Sequence, residues 1–183
     1  MKLVFLLEEY SMRVTLEALL PKILPTDVQH LLIDHEGKRD LEISIPRKLR
    51  AWRENDVRFV IVHDQDSADC RQLKKRLAKL CQEAGRSDAL IRIACVELES
   101  WFLGDLEAVA EAFDHPQIAA LKDRSKFRNP DRLANASDEL RKLIPRYQKV
   151  GGARAIAPLL DFPRNRSHSF QIFLTGLRRL VGQ

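Results

Sequence analysis

The chain has 183 residues, 45% of them hydrophobic and 31% charged, with a formal net charge of +5 at pH 7. That balance supports a globular protein of one domain with a small appendage, and it excludes the low-complexity, collagen-like and charge-extended classes. The apolar run Leu3–Leu7 is too short to cross a membrane and no basic-then-apolar signal segment opens the sequence, so a cytoplasmic protein is expected.

Residues 2–7, Lys-Leu-Val-Phe-Leu-Leu, form a continuous apolar run of strand length that ends at Glu8-Glu9. Ser11 is placed to cap a helix running through Leu16, Leu19 and Leu20 to Pro21 or Ile23. Leu31-Leu32-Ile33 is a weaker strand candidate. It leads into a polar loop pivoting on Gly37, after which Asp40 can cap a helix bearing Leu41, Ile45, Leu49 and Trp52 on one side. Pro46 is expected to kink or interrupt that helix, whose outer face carries Arg47, Lys48, Arg50 and Arg53.

The third strand, Phe59 to Val62, breaks off at His63 and delivers Asp64 and Asp66. Ser67 then caps a helix from Ala68 to about Ala84, with Leu73, Leu77, Leu80 and Cys81 at helical spacing and Gly85 as terminator. Leu90 to Cys95 reads as a fourth strand and hands over to Glu97 and Glu99. Cys70 and Cys81, three helical turns apart, are expected on one buried face. With Cys95 they form an odd set without Cys-x-x-Cys spacing, which reads as reduced thiols.

After Phe113 the pattern becomes polar and broken by Pro116 and Pro130, followed by helical pieces at about 131–144, 153–160 and 170–180. We therefore expect an α/β domain over 1–113, with a central, mainly parallel sheet of about four strands flanked by helices. A basic helical extension over 114–183 would pack on it, unless the two form a single domain. Charge divides in the same way. Residues 122–183 hold 14 Lys/Arg against 5 Asp/Glu, whereas residues 1–121 hold more acids than bases. A basic tail beside an acidic front half suits a polyanion-binding surface next to a metal site, or simply a solvated basic face.

Three strands ending in acids carry the chemistry. Right-handed crossovers bring parallel strand ends to one sheet edge, so Glu8, Glu9, Asp64, Asp66, Glu97 and Glu99 could converge there. Carboxylates so close repel unless a proton or cation lies between them, and oxygen ligands suit a hard ion such as Mg²⁺. The alternative is an acidic strand-to-helix turn with Asp66 as an auxiliary cap. His63 can orient an aspartate or pack on the sheet; Trp52 and Trp101 read as core anchors.

A strand ending in Glu followed by one ending in Asp-x-Asp resembles the Toprim superfamily of primases, topoisomerases and OLD-type nucleases. More closely, the chain resembles the bacterial family of domain of unknown function 4276. The resemblance rests on Leu7-Glu8-Glu9-x-Ser11, Glu36-Gly37-Lys38-x-Asp40-Leu41, His63-Asp64-Gln65-Asp66-Ser67, Glu97-x-Glu99-x-Trp101-Phe102 and Asn165-Arg166-Ser167-x-Ser169-Phe170. It implies a Toprim-like Rossmannoid fold and a divalent-metal-dependent nuclease acting on DNA or RNA. Glu8 would be the general acid/base or a further ligand, and Asp64 and Asp66 would hold Mg²⁺ or Mn²⁺, with Glu97 or Glu99 completing the set. Met12 departs from some OLD/RloB-like nucleases, which carry a second acid near there, and this counts against a two-metal arrangement. Lys38, Lys149 and Arg166 are candidates for phosphate contact. A role in phage defence beside a separately encoded AAA-type ATPase is implied too, since the sequence has no Gly-x-x-x-x-Gly-Lys loop. Two alternatives stand: a non-catalytic module binding nucleic acid or protein, and a receiver-like domain, which would need a lone phosphoacceptor Asp and a Lys after a late strand.

Overall fold

The computed structural model describes residues 1–182. Four parallel strands, β1 (Lys2–Leu7), β2 (Gln29–Asp34), β3 (Val57–Asp64) and β4 (Leu90–Ala94), form one sheet in the order β2-β1-β3-β4. β1 and β3 are central, and their apolar stretches Leu3–Leu7 and Phe59–Val62 are buried on both faces, which is why they read as unbroken runs rather than as alternating ones.

Side chains of successive strand residues point to opposite faces. Leu3, Phe5 and Leu7 of β1 join Val60 and Val62 of β3 in the core beneath α1 (Tyr10–Ile23). Val4 and Leu6 join Phe59 and Ile61 beneath α2 (Lys38–Ala51) and α3 (Cys70–Glu83). Beyond β4 the chain returns to the α1 face through α4 (Glu99–Leu103), α5 (Leu106–Ala112), α6 (Ala136–Leu143), α7 (Lys149–Ile156) and α8 (His168–Leu180), with short 3₁₀ turns between α5 and α6. One core on that face runs from Leu3 to Leu177, including Trp101, Phe102, Tyr147, Phe170 and Phe173. Among the described residues no helix is long and apolar enough to cross a membrane.

Three helix starts differ from expectation. Asp69, not Ser67, caps α3, its carboxylate accepting the Gln72 amide at 2.8 Å. Ser11 lies inside α1 and donates its hydroxyl to Glu9 Oε1 at 2.6 Å; Glu9 stands at the cap position without a side-chain bond to the backbone of the first turn. Gly37, at φ 104°, precedes α2, and Asp40 accepts the Glu36 amide from within the first turn. Of the three, only Asp69 caps through its side chain, while Glu9 and Gly37 mark the other two boundaries by backbone conformation. α2 also continues through Pro46 without interruption. Gly85 ends α3 as expected, at φ 76°, with the Arg86 amide returning to the Cys81 carbonyl.

The topology locates the crevice. From β1 the chain moves outward to β2, then jumps back over β1 to β3 and β4. The switch point therefore falls between β1 and β3, where open parallel sheets place their ligands beyond the carboxyl strand ends. Glu8 and Asp64 emerge there side by side, because Leu7 pairs with Val62.

Candidate functional site

Glu8 follows the last residue of β1 and is 9% exposed. Its Oε2 accepts the Asp64 amide at 2.9 Å and lies 2.9 Å from His63 Nδ1. His63 Nδ1 also lies 2.5 Å from the Asp64 carbonyl oxygen. Both neighbours are acceptors, so Nδ1 carries a proton and donates. Nε2 faces Glu42 Oε1 at 3.5 Å, and Glu42 is itself paired with Arg76 at 2.7 Å. Burial opposes charging of the His63 imidazole, yet the hydrogen bond and charge of Glu8, with help from the Asp64 carbonyl and Glu42, raise its pKa overall. The buried imidazole thus orients Glu8 from behind.

Asp64 is 4% exposed, and its Oδ1 has no hydrogen-bond partner among the described residues. Burial, followed by the charges of Glu8, Glu99 and Glu9, pushes its carboxyl well above the usual aspartate range. Glu99 opens α4 and is fully buried. Tyr147 donates to its Oε1 at 3.0 Å while Oε2 is unpartnered. Burial raises the Glu99 pKa against the opposing charge of Lys149.

The approach of β4 to this site rests on a strained turn. The Glu97 amide returns to the Cys95 carbonyl at 2.9 Å around Val96, at φ 62°. A β-branched residue at positive φ in a three-residue turn is uncommon and costly. The turn is held by the Asp66 amide on the Val96 carbonyl at 2.7 Å and by the Gln65 side chain on the Val96 amide. It turns Glu99 inward and Glu97 away. Glu97 accepts the Ser137 amide at 2.8 Å, at the start of α6.

Of the residues expected to act together, the structure brings Glu8, Asp64 and Glu99 into one buried group, with Glu9 beside them. Asp66, at φ 50°, stands at the rim paired with Lys38 at 2.9 Å; both side chains are exposed. Lys38 also lines a depression of about 670 Å³ between α2 and α3, together with Glu42, Ile43 and Arg76. Arg166 lies elsewhere, on the Lys122 carbonyl and Asp123. Lys149 enters the acidic group itself, its ammonium reaching Glu9 at 3.1 and 3.3 Å. Burial opposes its charge, but Glu99 and Glu9, and less strongly Asp64, raise its pKa. Among the described residues no three acids, imidazoles or thiols form a ready-made metal-ligand set. The features that fit a cation are the like-charged neighbours of Asp64 and the two buried, unpartnered oxygens, Asp64 Oδ1 and Glu99 Oε2.

Sequence reasoning missed Tyr147, in the connection between α6 and α7, and Glu42, a single acid on α2. It assigned Lys149 to phosphate, whereas here the ammonium is an internal counter-charge. Lys149→Met is therefore expected to destabilise the metal-free protein by about 1–2 kcal/mol at neutral pH, a buried-pair loss discounted for the exposed part of the ammonium. A lysine with a raised folded pKa stabilises below its ordinary value for as long as the carboxylates it faces stay ionised, so the deficit persists at neutrality. It should narrow in acid as the carboxylates protonate. Urea denaturation at pH 5 and pH 8 measures both; equal stability of the variant and wild type at pH 8 would remove Lys149 from this role.

The family model described as a domain of unknown function (DUF4276) matches residues 7–178. Neither a curated protein nor a solved structure matches the chain.

Proposed function

Since the chain belongs to the DUF4276 family, whose description assigns no activity, we propose from the site itself that it is a divalent-metal-dependent phosphodiester hydrolase acting on DNA or RNA. The observation that carries this reading is the buried group Glu8, Asp64 and Glu99 at the switch point of a parallel sheet, with two carboxylate oxygens unpartnered. Mg²⁺ or Mn²⁺ would be held by these three, and when bound it would neutralise charge on a phosphate and lower the pKa of water.

The chain's own residues divide the remaining work. Glu8, fixed by His63 and the Asp64 amide, is placed to take or return a proton at Oε1, the oxygen those bonds leave free. Tyr147 and Lys149 hold Glu99 and Glu9 in position. Lys38 at the rim, with exposed Arg39, Arg71, Lys75, Arg76 and Lys79 on α2 and α3, offers a cationic face to a phosphate backbone. On this reading the fold is a Toprim-like variant, and the protein works in the cytoplasm, in phage defence beside a separate ATPase. A second reading has one supporting observation: Lys149 already supplies a cation to the acidic group, as a non-catalytic binding module would require.

The test is calorimetric titration of Mn²⁺ and Mg²⁺ into wild type and Glu8→Gln, paired with cleavage assays on labelled single-stranded DNA, duplex DNA and RNA with and without EDTA. We expect ion binding and metal-dependent strand scission, the latter reduced at least about 100-fold in Glu8→Gln. Nucleic-acid binding without ion binding or cleavage would replace this reading with the binding module.

A further inference from the structure

Away from the acidic group, a cavity of about 160 Å³ opens between the first turn of α3, the end of β4 and the start of α8. Two of the three cysteines, Cys70 and Cys95, line it together with Lys74, Arg92 and His168. Both are free and half-buried, whereas Cys81 is buried in the core between α3 and the sheet. The two thiols border the same cavity, and Cys70 is near enough to help raise the Cys95 thiol.

We propose that Cys70 and Cys95 form a reversible redox pair, closed to an intramolecular disulfide by low-molecular-weight disulfides. Cys70 is the attacking residue. It opens α3, and Lys74, four residues on and therefore on the same helix face, lines the cavity with it. Burial, with smaller contributions from Asp131 and Cys70, pushes the Cys95 thiol up to about 11, so Cys95 enters second. In the first step the Cys70 thiolate attacks one sulfur of the oxidant, breaking its S–S bond, forming a mixed disulfide and releasing one thiol. In the second, Cys95 gives up its proton to solvent and attacks the Cys70 sulfur, expelling the other half of the oxidant as a second thiol. The protein loses two protons and two electrons, and the oxidant is reduced to two thiols. Lys74 and Arg92 favour an oxidant bearing carboxylates, such as glutathione disulfide.

The bridge would join segments that already touch. The Gln65 amide donates to the Ala94 carbonyl at 2.9 Å, and the Asp66 amide to the Val96 carbonyl. A covalent link from Cys70 to Cys95 would tie the 65–69 loop to the strained turn at Val96. The pair needs no metal and no nuclease activity, so it stands or falls independently of the proposed function.

The experiment treats folded wild-type protein with glutathione disulfide, then blocks free thiols under denaturing conditions and maps tryptic peptides by mass spectrometry. The expected product is a Cys70–Cys95 peptide pair with Cys81 blocked as a free thiol, reversed by dithiothreitol. Cys95→Ser should instead accumulate glutathione on Cys70. Hydrogen exchange over residues 64–70 should slow in the bridged form. Three free thiols after treatment, a stable glutathione adduct in wild type, a bridge to Cys81 or a bridge between molecules would each overturn the assignment.

Discussion

Asp64→Asn is expected to stabilise the metal-free protein at neutral pH by about 1–3 kcal/mol while abolishing divalent-ion binding. The charged carboxylate is buried, one oxygen has no partner, and Glu8, Glu99 and Glu9 are like-charged neighbours. An asparagine keeps the shape, removes the charge and gives its neighbours an amide donor. The pH dependence follows the same logic. An acid with a raised folded pKa holds a proton in the folded state that the unfolded chain releases, so stability falls as pH rises from the ordinary aspartate value of 3.8 through the higher folded value. Glu99 contributes in the same direction from its own ordinary value of 4.5. Wild type in EDTA should therefore lose stability between about pH 4 and neutrality, and Asp64→Asn should lose less; Mn²⁺ should restore wild type only. Urea denaturation at several pH values reads all three. A variant less stable than wild type at pH 7.5, with wild type insensitive to pH, would mean that Asp64 is well paired and that no stability is sacrificed there to a function.

This trade explains what was legible beforehand. Apolar runs delimited β1 and β3 because both faces of these strands are buried, and the acids ending them stood out against that background. Once the strands are parallel, placing Glu8 beside Asp64 needs only handedness and order. The sequence could not choose between Glu97 and Glu99, because that choice depends on a positive φ at Val96, a residue whose type argues against it. Nor could it pair Lys149 with Glu9 across the chain: the contact depends on how α7 packs against α1, and no local pattern encodes that docking. The helix caps fall two or three residues from the expected ones for a related reason. Ser, Asp and Gly compete for each cap, and the arriving loop decides among them.

The tail motif offers the other instructive case. The sequence offers Arg166 as a phosphate contact, yet its neighbours form a buried polar network that secures α8. Asn165 donates to the Trp101 carbonyl at 2.7 Å, while Ser167 Oγ and the Ser169 amide donate to Asp131 at 2.6 Å each. The Cys95 amide and the Trp101 indole both donate to Ser169 Oγ. The motif holds the end of β4 and α4 against α8, and so fixes Glu99 without touching the chemistry.

Trp101→Ala is accordingly the substitution expected to cost most, about 3–5 kcal/mol. Its side chain is fully buried, with ring centroids 5.3 Å from Phe170 and 4.9 Å from Phe173. Truncation opens a cavity between α4 and α8 that rigid neighbours cannot fill, while Ser169 Oγ keeps Asp131 and is not orphaned. For a chain of this length the loss corresponds to a fall in melting temperature of roughly 10 °C or more. The manner of unfolding is as informative as its midpoint. Because the core on this face draws on both Leu3 and Leu177, far-ultraviolet dichroism and Trp52 fluorescence should report one coincident transition in the variant, moved to lower urea with little change in slope. Two separated transitions would mean that the C-terminal helices fold as a unit of their own and that Trp101 joins two domains. A loss under about 1 kcal/mol would show that the pocket collapses around the smaller side chain, and that α4 is held chiefly by its hydrogen bonds.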